Sequence, residues 1–109
     1  MRKRLFALAG VAVAAALPLT AQPASASSVC ASGAVCTWPK AHFGGTKLTH
    51  HNPDPGCYAW GGRTISNQRS VRITVYSGGS CTGSHFDIKP KHYSDNVPFK
   101  VMGIGVWGR

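Results

Sequence analysis

Apolar and polar residues alternate over residues 71–76. Val71, Ile73 and Val75 fall on one side, and Arg72, Thr74 and Tyr76 on the other. A period of two marks a half-buried β-strand, because successive side chains of an extended chain point to opposite faces. Residues 34–38 are a shorter strand candidate, residues 47–50 and 85–88 are two more, and residues 101–107 form a last one broken by glycine. Glycine and proline crowd the intervals, which suits tight β connections rather than long loops. Helix signals are almost absent from this part of the chain.

Residues 1–26 follow another pattern. Arg2, Lys3 and Arg4 precede a mostly apolar, alanine-rich run over residues 5–19, and Ala24, Ser25 and Ala26 supply small residues at its end. A charged start, a short apolar centre and a small-residue cleavage site make a secretory signal, with cleavage expected after Ala26. The run is too short for a membrane anchor and no second one follows, so no membrane span is expected. The expected division is a signal peptide over 1–26 and one domain over 27–109, secreted and extracellular. A domain this small has a core that stabilises weakly and usually needs covalent help. Cys30, Cys36, Cys57 and Cys81 supply it. Four cysteines in a short exported chain read as two disulfides, with three pairings open.

Charge narrows the function. Arg2, Lys3 and Arg4 are three of the twelve basic residues, so nine remain in the domain against Asp54, Asp87 and Asp95, a net charge of +6 with histidine neutral. Glutamate is absent from the whole chain. That absence disfavours solvated helices and acid/base enzymes built on paired carboxylates. Basic charge attracts acidic partners, but here it is scattered rather than clustered, which reads as solubility. No nucleic-acid partner is expected.

Laying the chain over itself with Val35 on Ile73 brings Trp38 onto Tyr76, Phe43 onto Cys81, Gly45 onto Gly83 and Leu48 onto Phe86. The domain therefore reads as two copies of one unit. In each, an aromatic residue on a strand packs over a folded hairpin that begins a few residues later. The glycine takes a backbone position with positive φ, where a side chain would clash. In the second copy Cys81 replaces the corner aromatic, and a disulfide there does the fastening that a ring does in the first.

The aromatic-x4-aromatic-x-Gly pattern resembles the signature of the βγ-crystallin fold. The resemblance implies an all-β, disulfide-stapled fold of two Greek-key units forming a βγ-crystallin-like sandwich or barrel. It also implies a serine further along that bonds back to the folded hairpin. Ser66, downstream of Gly45, is the expected one. In the second unit the equivalent position is Ile104, and Ser94 is the other carrier considered. More narrowly, Val35-Cys36-Thr37-Trp38, His42-Phe43-Gly44-Gly45, Ser70-Val71-Arg72-Ile73 and Tyr76-Ser77-Gly78-Gly79-Ser80-Cys81-Thr82-Gly83 resemble peptidase inhibitor family I36, small secreted actinomycete proteins. That resemblance implies a protein inhibitor of an extracellular, thermolysin-like metalloprotease. Such an inhibitor carries out no catalysis and needs no cofactor.

An inhibitor of this kind presents a substrate-like loop that is already rigid, so binding costs little entropy. Residues 51–60 are the best candidate. Pro53 and Pro55 stiffen them, Cys57 pins them, and Tyr58 offers the bulky apolar residue that such an enzyme takes after the scissile bond. The Cys57–Tyr58 bond is the expected reactive site, and residues 79–82 are a second candidate. The alternative is a structural turn with Tyr58 and Trp60 packed inward. Pairing Cys30 with Cys36 closes a tight loop, and pairing Cys57 with Cys81 ties the two units together. A monomer is expected.

Other chemistries fit less well. His50 and His51 are adjacent on a strand and point to opposite faces, so one ion cannot easily hold both. No H-E-x-x-H occurs, and no metal site is expected. For calcium, Asp95 and Asn96 are followed by Pro98 and Phe99, and residues 66–70 include Arg69, a poor set for a hard cation. Residues 103–108 match G-x-G-x-x-G, but no helix follows to cap a phosphate. Two rival functions remain: a crystallin-like cell-surface binding or toxin-like module, and a small secreted hydrolase such as a ribonuclease working through histidines.

Overall fold

A computed structural model of the chain describes residues 28–108. The expected signal peptide and its cleavage point after Ala26 lie outside them. Eight strands run through the described residues: β1 (Ala34–Trp38), β2 (Leu48–His51), β3 (Gly56–Tyr58), β4 (Thr64–Asn67), β5 (Ile73–Gly78), β6 (Thr82–Ile88), β7 (His92–Ser94) and β8 (Gly103–Val106). No helix occurs among these residues. All pairings are antiparallel. One sheet has the order β2-β1-β4-β7 and the other β3-β8-β5-β6.

The order shows an exchange. The first four strands do not make one sheet, because β3 lies at the edge of the second. The second four do not either, because β7 lies at the edge of the first. Register makes the two units comparable. Val35 pairs with Asn67 and Trp38 with Thr64, just as Ile73 pairs with Val106 and Tyr76 with Gly103. Cys57 of β3 faces Gly105 of β8, and Tyr93 of β7 faces Ser66 of β4. Cys57 and Tyr93 are therefore counterparts.

The main core takes Val35 and Ile65 from one sheet and Ile73, Val75, Ile104 and Val106 from the other, with Ile88, Val97 and Val101 beside them. β1 is buried along its whole length. Val35 faces the main core, while Ala34, Cys36 and Trp38 form a second cluster with Cys30 and Phe43. A strand covered on both faces reads as a continuous apolar run, which explains its lack of alternation. Fully burying a side chain such as Ile or Val contributes about 1.5–3 kcal/mol each. A core of this size is what so short a domain can offer, and two disulfides supplement it: Cys30–Cys36 and Cys57–Cys81.

Several strands differ from the sequence pattern. β5 begins at Ile73 rather than Val71 and runs on to Gly78. Gly83 and Ser84 belong to β6, which starts at Thr82. β3, β4 and β7 carry no alternation that marks a strand. β4 is buried at all four positions although three of them are polar. It tolerates this because Thr64 and Asn67 are saturated with hydrogen bonds. Asn67 Nδ2 donates to the carbonyls of Val71, Ile88 and Lys89, and its Oδ1 accepts from Arg69 N.

The folded hairpins stand as the repeat implied. Gly45 has φ 85° and Gly83 φ 91°, and a β-carbon at either would collide with the start of its own hairpin, Pro39 in one and Ser77 in the other. The corner residues share the left-handed conformation, with Phe43 at 61° and Cys81 at 59°. The expectation for Ser66 is corrected. Thr64 makes the bond to the first hairpin: its Oγ1 accepts from Phe43 N at 3.1 Å and lies 2.8 Å from Lys40 O. Ser66 instead accepts from Gln68 Nε2. Its counterpart is Gly105, not Ile104. Val35 and Ile73 correspond, and their partners Asn67 and Val106 lie one position further apart than they do. Ser94 pairs with Ile65 in β7 and takes no such role.

Candidate functional site

The expected loop over residues 51–60 is partly strand. His51 closes β2, and Gly56, Cys57 and Tyr58 form β3 against Val106, Gly105 and Ile104. β3 ends its sheet, so among the described residues no strand lies along its outer backbone edge. An unpaired edge is where another extended chain can add. Between β2 and β3 the chain turns sharply. Asn52 is left-handed at φ 43°, and Pro53 and Pro55 fix two further φ angles. Tyr58 Oη donates to Asp54 O at 2.7 Å and closes this turn from within.

Three aromatic rings hold the base of the loop. Tyr58 stacks on Trp60 with centroids 4.2 Å apart and planes 14° off parallel. Trp60 stacks on His50 at 3.7 Å and 9°. Tyr58 and Trp60 also pack against the main core and are half-buried. Cys57 is exposed on the edge strand, while the Tyr58 and Trp60 rings are turned onto the domain as the structural alternative has them. His50 Nε2 is buried without a hydrogen-bond partner. Burial strips water from the ring and pushes its pKa below the usual histidine value, since the charged form suffers most.

The Cys57–Cys81 disulfide joins β3 to the second hairpin. Residues 79–82, the second candidate, sit on that hairpin, where Cys81 N donates to Gly78 O. Both candidate segments therefore meet at one bond. A rigid edge strand, clamped by a disulfide on one residue and by a ring stack on the next, can be presented to a cleft with little loss of chain entropy.

The residues weighed as cation ligands lie elsewhere. The Asp95 carboxylate is 3.3 Å from His42 Nδ1, and Asp95 O accepts from His42 N and Thr64 Oγ1. Asn67 and Arg69 are turned inward. Among the described residues no group of three or more histidine, cysteine or acidic side chains is placed to hold a metal. No helix among them is long and apolar enough to cross a membrane. Sequence reasoning missed two contributors, Thr64 and the His50–Trp60 pair. Register alone exposes the first, and local pattern marks Trp60 only as a companion of Tyr58.

A family model described as peptidase inhibitor family I36 matches residues 23–88. The match takes in the first unit, both hairpins, and Cys57, Tyr58 and Cys81. No curated protein and no solved structure matches the chain. With most of its length covered by that model, the chain belongs to peptidase inhibitor family I36.

Proposed function

We propose that the protein is exported and inhibits an extracellular metalloprotease of the thermolysin type, with the Cys57–Tyr58 bond presented as the substrate-like bond. Family membership supports the inhibitory role. The observation that carries the choice of bond is the place of Cys57: exposed, on an unpaired edge, and tied by its own sulfur to the opposite unit. Should that bond be cut, the Cys57 end stays fastened by the disulfide. The Tyr58 end stays fastened by its pairing with Ile104 and its stack on Trp60. Both ends remain in register, so the nicked and intact forms differ little in free energy and release is slow.

The exchange of β3 and β7 between the two sheets supports a further reading, a pair of Greek-key units of the βγ-crystallin kind. In that reading the scaffold matters through rigidity alone. The test is a titration of thermolysin with the oxidised protein from Ser27 onward, following peptide hydrolysis. Stoichiometric loss of activity is expected. Replacing Tyr58 with Gly removes the ring that seats this bond on Trp60 and should weaken inhibition at least about tenfold through lost preorganisation of the presented strand. Unchanged protease activity at a large excess of the protein removes this target class, and full potency in Tyr58→Gly removes this bond.

A further inference from the structure

Arg69 is a buried charge with an unused donor. Arg69 lies in the β4–β5 connection and the residue is 7% exposed. A guanidinium stays protonated in proteins and carries five N–H donors. Here Nη2 donates to Trp107 O at 3.0 Å, while Nη1 is buried with no hydrogen-bond partner. The backbone offers no slack, because Arg69 N is held by Asn67 Oδ1 at 3.1 Å. A cation taken from water and left short of acceptors is costly, and an anion is the partner that offsets this.

The residue lines a pocket of about 230 Å³ shared with Gly33, Asn52, Pro53 and Ser70. None of these is acidic. Asn52 and Ser70 bring an amide and a hydroxyl, both able to donate. Lys91 adds a second cation close by, with Nζ 2.8 Å from Gln68 O and 3.4 Å from Ser32 Oγ, both next in sequence to lining residues. The volume far exceeds the ~30 Å³ share of one water. We propose that this pocket is an anion site, taking a carboxylate- or phosphate-sized oxyanion on Arg69, with Asn52 and Ser70 completing the shell. Charge-assisted bonds from a planar fork are the strong, geometrically selective kind.

Two sources supply that chemistry: a free small anion, or a carboxylate on the surface of a bound protease, since Asn52 and Pro53 begin the loop that leads to Cys57. The free oxidised protein is titrated with sodium phosphate and separately with sodium acetate at fixed ionic strength, following the backbone amide resonances of Arg69 and Ser70. A saturable shift with one of these probes and a raised unfolding temperature are expected. Ser70→Asp places a carboxylate in the pocket without removing the guanidinium and should weaken the anion affinity at least about tenfold, the loss of one charge-assisted bond. No saturable shift with either probe overturns the proposal, as does an undiminished shift in Ser70→Asp. Protease inhibition measured with and without saturating phosphate separates the sources. Weakened inhibition marks a protease carboxylate that phosphate displaces, and unchanged inhibition marks a free ion. The resonance shifts are read without any protease, so they stand or fall apart from the inhibitory reading.

Discussion

The two hairpins close the same backbone shape with different chemistry. In the first unit Phe43 sits at the corner, edge-on to Trp38 at 5.0 Å and tilted against Tyr93 at 5.3 Å. In the second, Cys81 takes the corner and its sulfur is bonded to Cys57. Since Cys57 and Tyr93 are counterparts, a ring contact in one unit stands where a covalent bond stands in the other. Beneath the corner the contrast repeats. Thr64 fills the space under the first hairpin with its hydroxyl. Gly103 leaves no such space, and a β-carbon there would lie 2.5 Å from Gly78 O and 3.2 Å from Cys81 N. What the repeat preserves is the left-handed corner and the glycine two residues on. The means of holding them is free to vary.

The largest effect should come from forcing the first solution onto the second unit. Gly103→Thr drives a side chain into the hairpin backbone and should cost more than about 4 kcal/mol or prevent folding, as overpacking against rigid backbone does. Circular dichroism during chemical unfolding reads this directly. Removing the covalent fastening with Cys57→Ala and Cys81→Ala together should cost about 3 kcal/mol by the loop-closure estimate. Inhibition should fall further than stability predicts, because β3 loses its clamp. A double variant that keeps full potency would break the link between the disulfide and the presented bond.

In the first unit, Thr64→Val keeps the volume but strands Phe43 N, and should cost about 2 kcal/mol in unfolding experiments. Ser66→Ala should matter less. The reverse order would return the hairpin bond to Ser66 and sharpen the comparison in the other direction. The smallest effect concerns pH. The folded pKa of His50 lies below its unfolded value of 6.5, so the unfolded chain takes up the proton first. Its stabilising contribution is complete above pH 6.5 and is lost as pH falls from there through the folded pKa. His50→Leu should flatten that part of the stability profile measured by thermal melts.

Local pattern makes the strands of the main core readable. Ile73 and Val75 alternate and are both fully buried, and the fixed spacing of Trp38, Phe43 and Gly45 against Tyr76, Cys81 and Gly83 exposes the repeat. The third strand of each unit, and the fourth strand of the first, are harder to read. β3 and β7 are very short and form only by pairing with the other unit, which no local window contains. β4 hides because its polar residues are buried and bonded. The matching of Ile104 to Ser66 has a simple cause: the second unit is one residue longer before its last strand, so an offset that fits the first strands fails by one at the last. A one-residue slip on a strand turns a side chain to the opposite face. For the candidate site, prolines and a cysteine mark the segment, but the His50–Trp60–Tyr58 stack joins two strands and needs the fold to appear.

The exchanged edge strands bear on how the molecule can be made. Each sheet waits for a strand from the other half of the chain, and the main core mixes Val35 and Ile65 with residues as late as Val106. On the proposed export route, a chain threading out of a membrane pore from its amino end has neither sheet complete until late strands emerge. Neither half completes a sheet by itself, because the closing pairings join residues 25–29 apart in one sheet and 46–50 apart in the other, and each carries the entropy of closing that loop. Assembly is postponed until the far side is reached, where the cysteines also meet their oxidant.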